Sequence, residues 1–423
     1  MRPISPLLLA AAIALPVSAP LTAQAATPGE VLTTYADIAE ATYGDAHSSA
    51  ETLQAAIEAF LAAPSAEGLE AARTAWRAAR VPYMQTEVFR FGNAIVDDWE
   101  GRVNAWPLDE GLIDYVARGY IGGDDNGLAE LNVVANPSFT LGGQTVDATT
   151  IDAALLQDVL HEADDVDANV ATGYHAIEFL LWGQDLNGTG PGAGDRPWTD
   201  YAQGEACTND NCDRRAEYLR AATDLLVADL AEMAGHWTAE GEARATLMAD
   251  ERAGLASILT GMGSLSYGEL AGERIRLGLL LNDPEEEQDC FSDNTPWSHF
   301  YDGVGIRNVY VGEYTRIDGS VVSGAGLDTL VAAADPALDT ALRGGLDASV
   351  AALQTMVDTA EGGMAYDMML APGNTEGETV IMAAVNALVA QTRDIERAIT
   401  ALGLDGVSLE GSDSLDNPSS VFH

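Results

Sequence analysis

The stretch SAEGLEAARTAWRAARVPYMQTEVFRFG, residues 65–92, decides the fold class. Leu69, Ala72 and Trp76 recur in it every three or four residues, which places them on one face of an α-helix. Ser65 stands just before this pattern, where its side-chain oxygen can accept a hydrogen bond from the first turn of a helix. The stretch therefore predicts a long amphipathic helix with one buried face.

The same helical spacing recurs along most of the chain. Long helices that are joined by short Gly-rich breaks are typical of helix bundles, so the sequence predicts an all-α fold. Two segments, 133–150 and 305–323, lack the pattern and are predicted to be loops or short hairpins that project from the bundles. The other segments with helical spacing are 152–184, 214–233, 252–282, 328–356 and 378–402.

The N-terminal residues have the pattern of a secretory signal peptide. Met1-Arg2 begins a short charged region, residues 7–21 are apolar apart from Ser18, and Ala23-Gln24-Ala25 has the small residues of a cleavage site. We therefore expect residues 1–25 to be removed and the mature protein to be exported, with no membrane insertion.

The rest of the chain is long enough for two domains. A Gly/Pro-rich break at 187–197 lies between two halves of similar size, which suggests two helical bundles. We predict an N-terminal bundle at 26–195, a C-terminal bundle at 196–405 and a loose tail at 406–423.

The chain is strongly acidic. It has 423 residues with 66 Asp or Glu and 20 basic residues, all of them Arg, and a formal net charge of −46. That charge excludes a nucleic-acid-binding protein, because phosphate binding needs clustered Lys and Arg. A hydrophobic content of 47% is still enough for a buried core. We interpret the acidic residues as a solvated shell that keeps the protein soluble in a salty medium.

The three cysteines are interpreted in the light of export to an oxidising compartment. Cys207 and Cys212 flank a turn-rich segment and can close a small ring. A local disulfide between them is the favoured reading, and pairing of Cys290 with one of them is the alternative.

The densest cluster of chemically capable residues is GYHAIEFLLWGQDLNG, residues 173–188. His175 and Glu178 are three residues apart, so they share one face of a helix and could bind one metal ion. Gly173 permits close approach of another backbone or a ligand. A hydrogen-bonded His–Glu pair with a purely structural role explains the same spacing. The HExxH and HxxEH motifs of zinc peptidases are absent, and either His236 or His299 could be a distant third ligand.

Further carboxylates lie in two segments that precede this cluster and in one that follows it. Glu87, Asp109 and Glu110 are hard oxygen ligands that could complete a metal site with His175 and Glu178. We expect at least three of these five side chains to line one pocket, because isolated carboxylates among aromatic residues are costly. Other residues expected at that pocket are Arg90 (offsetting Glu87), Trp106, Glu269, Glu273 and Arg274.

Several distinctive segments are spread over nearly the whole chain after residue 25, among them ARTAWRAARVPYMQTEVFRF, NAWPLDEGLIDYV, ILTGMGSLSYGELAGERI and CFSDNTPW. In these segments the chain resembles the imelysin-like proteins, specifically the iron-regulated protein A branch. The GxHxxE signature of that family matches Gly173, His175 and Glu178. The resemblance implies two four-helix bundles, a periplasmic or cell-envelope location and a role in iron uptake or iron response.

Three functions follow as hypotheses. The first is capture or delivery of iron, another metal ion or a small metal complex at the junction of the bundles, together with an iron-transport component of the envelope. The second is a zinc-dependent metallopeptidase, since the family is also classed with peptidases. The third is a structural envelope protein whose polar cluster serves packing alone.

Overall fold

The structure, a computed structural model, describes residues 26–120, 122 and 126–422, so the predicted signal peptide lies outside it. The structure is 65% helical, and the strands among the described residues form two small two-stranded sheets. The predicted all-α fold is therefore confirmed. Among the helices of the described residues, none has the length and apolarity that crossing a bilayer requires.

The helices follow one another with short connections. The first half contains α1 (Pro28–Ala62), α2 (Ala66–Met84), α3 (Ala94–Asn104), α4 (Glu110–Ile113), α5 (Ala153–Leu155), α6 (Gly173–Trp182) and α7 (Cys212–Trp237). The second half contains α8 (Glu242–Met248), α9 (Glu251–Ser264), α10 (Leu277–Leu281), α11 (Thr295–Val311), α12 (Leu327–Ala334), α13 (Pro336–Glu361), α14 (Tyr366–Leu370), α15 (Thr375–Ala401) and α16 (Asp413–Asp416). A π-helical stretch, Leu265–Arg276, joins α9 to α10.

Side-chain caps fix where the first two helices begin. Thr27 and Glu30 form a capping box at the start of α1, and Ser65 accepts a hydrogen bond from the Gly68 amide at 3.0 Å at the start of α2. Helix α2 ends at Met84, and Glu87–Phe89 forms a separate 3-10 turn. Glu87 and Arg90 are thus not neighbours on one long helix, contrary to the sequence prediction.

Two helical groups meet at α2 and α11. In the first group α1 packs against α2 and α7, while α6 packs against α2, α3 and α7. In the second group α13 lies between α11 and α15, and α15 also packs on the π-helical stretch. Because α2 also packs against α11, residues of α2, α6 and α11 can converge on one buried volume.

The predicted division at residue 195 remains a prediction, and one observation bears on its position. Helix α7 follows that position in the sequence, yet it packs against α1. This packing favours a boundary that is C-terminal to residue 237.

The two segments without helical spacing contain hairpins. Ser138–Leu141 (β1) pairs with Gln144–Asp147 (β2), and Glu313–Thr315 (β3) pairs with Val321–Ser323 (β4), both antiparallel. The helical prediction for residues 152–184 was wrong in its middle, because Glu162, Asp164 and Asp165 have positive φ angles that no α-helix accommodates. Residues 305–311, predicted to be loop or hairpin, are the last part of α11.

The cysteines form one local disulfide. Cys207 is bonded to Cys212, and Cys290 is a free, half-buried thiol. The bridge closes a ring immediately before α7, so it restrains the irregular segment that links α6 to α7.

Candidate metal centre

Helix α6 carries the His–Glu pair in the buried interior of the protein. His175 and Glu178 are both fully buried, and the imidazole Nδ1 lies 3.0 Å from the Glu178 Oε2. Every residue of α6 is buried, so the side of the helix that carries His175 faces other protein segments.

The loop between α10 and α11 supplies a third candidate ligand, Asp289. Asp289 Oδ1 lies 3.9 Å from His175 Nδ1. His175, Glu178 and Asp289 each offer a ligand atom within 4.8 Å of those of the other two. On the same loop, the backbone amide and the hydroxyl of Ser292 both donate to Glu178 Oε1, at 3.0 and 2.7 Å. The loop therefore binds Glu178 and brings a second carboxylate to it.

Arg80 of α2, Asn294 at the start of α11 and Ser298 within α11 hold Asp289 in place. The guanidinium Nη2 donates to Asp289 Oδ1 at 2.8 Å, and its Nη1 donates to Asn104 Oδ1 at 2.6 Å. Asn294 Nδ2 and the Ser298 hydroxyl both donate to Asp289 Oδ2. Asp289 is thus an oriented, charge-compensated carboxylate in a buried setting.

Burial sets the protonation of the three groups. Burial and the nearby Arg80 charge lower the pKa of His175 to about 3, so its imidazole is neutral at pH 7, the form that binds metals. Burial and the Asp289 carboxylate raise the pKa of Glu178 well above its usual range. Burial alone would raise the pKa of Asp289, but the Arg80 guanidinium brings it below its ordinary value. Without a cation, this shift favours the protonated form of Glu178, which can donate a hydrogen bond to His175 Nδ1.

A cation would take the place of that proton. One neutral imidazole and two carboxylates form a donor set that suits several first-row divalent metals. Separations of 3.0 and 3.9 Å between the imidazole nitrogen and the carboxylate oxygens agree with ligands about 2.0–2.2 Å from one ion. The residues present fit a metal ion.

Unpartnered polar atoms lie on the helices that carry or adjoin this group. The Nε2 atom of His175, both ring nitrogens of His299 and the hydroxyls of Tyr83 and Tyr174 are buried without a hydrogen-bond partner in the part of the chain that the structure describes. Buried polar groups are nearly always paired, so such a concentration usually marks a functional site or a bound species. Of the two candidate third histidines, His299 is buried near the site, whereas His236 is partly exposed on α7.

Gly173 fixes the position of α6 and gives a first prediction. Its φ of +80° is unfavourable for other residues, and an added Cβ would lie 2.5 Å from the Val103 carbonyl oxygen. Gly173→Ala is therefore expected to lower the free energy of unfolding by roughly 2–4 kcal/mol, from strain and backbone displacement together. Urea denaturation measures it, and Gly344→Ala, whose added Cβ would meet open space, is the control. Equal stability of the two variants would contradict this role of Gly173.

Glu87 belongs to a neighbouring network. It forms an ion pair with Arg274, and so do Glu269 at 2.8 Å and Asp302 at 3.2 Å. Arg90, expected to offset Glu87, instead pairs with Asp97 at 2.9 Å and more loosely with Glu100 and Glu269. Arg274 therefore satisfies Glu87, which lies outside the group of His175.

Asp109 and Glu110 lie in other surroundings. Tyr120 and Asn126 donate to Asp109, while Gln184 donates weakly to Glu110 at 3.5 Å. Trp106 is half-buried in the loop before α4, and Glu273 is exposed. The sequence-based grouping of five ligands is thus reduced to His175 and Glu178, because α4 and the 3-10 turn place the other three carboxylates in separate networks.

Sequence reasoning missed Asp289, Arg80 and Ser292. Asp289 and Ser292 flank Cys290-Phe291, a dipeptide that the sequence indicates only as a possible disulfide position. Arg80 belongs to α2, whose pattern indicates an apolar face. Their only sequence signal is that Arg80 and Ser292 lie inside segments that carry the family resemblance.

Comparisons with known proteins agree with this architecture. The family model described as Imelysin matches residues 39–395. Iron-regulated protein A of Synechococcus elongatus is 42% identical over 67 residues, which are 16% of this chain and 19% of that protein. The match thus spans about a fifth of that relative.

Two crystal structures share the fold. An iron-regulated protein A precursor from Parabacteroides distasonis superposes with a TM-score of 0.64 at 18% identity, over 92% of this chain and 98% of that one. An imelysin-like protein from Psychrobacter arcticum superposes with a TM-score of 0.55 at 16% identity, over 89% and 95%.

Proposed function

The chain belongs to the imelysin family, and from that premise we propose that it binds a metal ion at His175, Glu178 and Asp289 as part of iron uptake or iron response. The observation that carries the proposal is the buried His–Glu–Asp group, whose ligand atoms lie within 4.8 Å of one another. The name of the relative, iron-regulated protein A, supports iron as the metal. We place the protein in the periplasm or cell envelope, on the basis of the signal-peptide pattern in residues 1–25.

The group supports binding rather than hydrolysis. All three side chains are fully buried, so a polypeptide could not reach an ion held between them. A peptidase also needs an open coordination position and a base beside the metal-bound water. The metal would instead be enclosed by α2, α6, α11 and the loop before α11, and would exchange when that loop moves. Delivery to an envelope transport component is the role that such enclosure suits.

The experiment is elemental analysis of the protein purified without an affinity tag from the periplasm of its own organism. We expect about one equivalent of iron per chain in the wild type and less than a tenth of that in His175→Ala. Casein incubated with the metal-loaded protein should stay intact. Metal-dependent cleavage that Glu178→Ala abolishes would favour the peptidase, and wild-type protein without a stoichiometric metal would favour a packing role.

A further inference from the structure

A second group of acidic side chains lies beside the loop that carries Asp289. Glu287 follows a 3-10 turn, Asp293 precedes α11, and Asp367 is the second residue of α14. One oxygen of each carboxylate lies within 4.8 Å of one oxygen of both others. Three separate segments thus bring three carboxyl groups together.

These three carboxylates have no arginine partner among the described residues. Asp114, Asp289 and Glu87, by contrast, are all paired with arginine. No donor of the described residues makes a well-formed hydrogen bond to Glu287 Oε1, Asp293 Oδ1 or either oxygen of Asp367, although the Thr295 side chain and the Met368 amide act on Glu287 and Asp367 as weaker polar neighbours. Glu287 and Asp367 are each only 1% exposed.

Buried carboxylate oxygens without partners are unfavourable, since each loses its hydration. Repulsion among three such groups increases that cost. A bound cation removes both penalties, because it coordinates the free oxygens and neutralises the charge. The burial of Glu287 and Asp367 and their unpartnered oxygens therefore distinguish this group from a cluster of acids on the surface.

The surroundings attract cations. Glu287 also lines a small pocket together with Glu110, Asp185 and Glu285. The negative charge of Asp185 acts on both Asp293 and Asp367. These neighbouring carboxylates add to the negative potential that attracts a cation to the three ligands.

We propose that Glu287, Asp293 and Asp367 form a second metal site, which takes a hard divalent cation of the Ca²⁺ type. An all-oxygen donor set without histidine or thiolate selects hard cations over iron(II) or zinc. The site shares no residue with the His175 group. It joins the loop before α11 to α14, so an ion there would hold in place the loop that supplies Asp289.

Calorimetric titration of the full-length mature protein with Ca²⁺ in 0.15 M NaCl tests the proposal. We expect one saturable site in the wild type and an affinity at least about tenfold lower in Asp367→Asn and in Glu287→Gln, since both remove a charged ligand and keep side-chain shape. Asp358→Asn, at an exposed position of α13, is the matched control and should bind as the wild type does.

The two metal sites can fail independently. Glu178→Gln should leave Ca²⁺ binding unchanged, and Asp367→Asn should still bind one equivalent of Fe²⁺. Circular dichroism verifies that each variant is folded. No saturable Ca²⁺ binding to the wild type, or equal affinity in Asp358→Asn, Asp367→Asn and Glu287→Gln, would overturn the second site and leave the first untouched.

Discussion

Glu178→Gln is expected to weaken Fe²⁺ binding at least about 100-fold, because loss of an outer-sphere partner alone typically costs 10–100-fold and here a charged ligand is lost. The same change should alter the free energy of unfolding of the metal-free protein by less than about 1 kcal/mol. The small effect is expected because burial and the Asp289 carboxylate favour the protonated form of Glu178 in the metal-free protein. Glutamine can therefore accept from Ser292 and donate to His175 as the neutral acid does.

This pairing of results separates binding from packing. Anaerobic equilibrium dialysis with Fe²⁺ measures affinity, in excess Ca²⁺ so that other acidic sites are filled, and urea denaturation measures stability. Glu273→Gln is the control, because Glu273 is exposed and should have no effect on either quantity. An unchanged Fe²⁺ affinity in Glu178→Gln would refute its role as a ligand.

Asp114→Ala should be the most destabilising of the proposed substitutions, with a loss of about 3–5 kcal/mol. Asp114 accepts from Arg196 Nη1 at 2.7 Å, and from Arg215 through Nε at 2.5 Å and Nη2 at 3.0 Å. The three residues are at most 3% exposed. Removal of the carboxylate takes the Asp114 anion away from two buried guanidinium groups. Arg196 keeps Asp200 as an ion-pair partner.

Urea denaturation measures this loss at neutral pH. The control is Asp347→Ala, which removes the exposed ion pair with Arg307 and should cost less than about 0.5 kcal/mol, as surface pairs usually do. Similar losses in the two variants would mean that the buried network contributes no more than a surface pair.

The helical architecture was predictable because it depends on local patterns. The spacing of Leu69, Ala72 and Trp76 and the cap at Ser65 are signals within a few residues of one another, and the structure has the predicted helix there. Positive φ angles at Asp164 and Asp165 were not predictable in this way, since Asp is common both in helices and in turns.

The candidate site was only half predictable. His175 and Glu178 are close because of their helical spacing, which the sequence displays. Asp289 lies more than 100 positions further along the chain, and its approach depends on how α11 packs against α2. The same long-range packing brings Arg274 rather than Arg90 to Glu87. No local pattern encodes which arginine reaches which carboxylate.

The most direct measurement is anomalous diffraction at the iron edge from crystals of the full-length mature protein soaked anaerobically with Fe²⁺. We expect a peak between His175, Glu178 and Asp289, about 2.0–2.3 Å from one ligand atom of each, and no such peak in Glu178→Gln crystals. Iron bound elsewhere with no density at this position, or an equal peak in the variant, would contradict it.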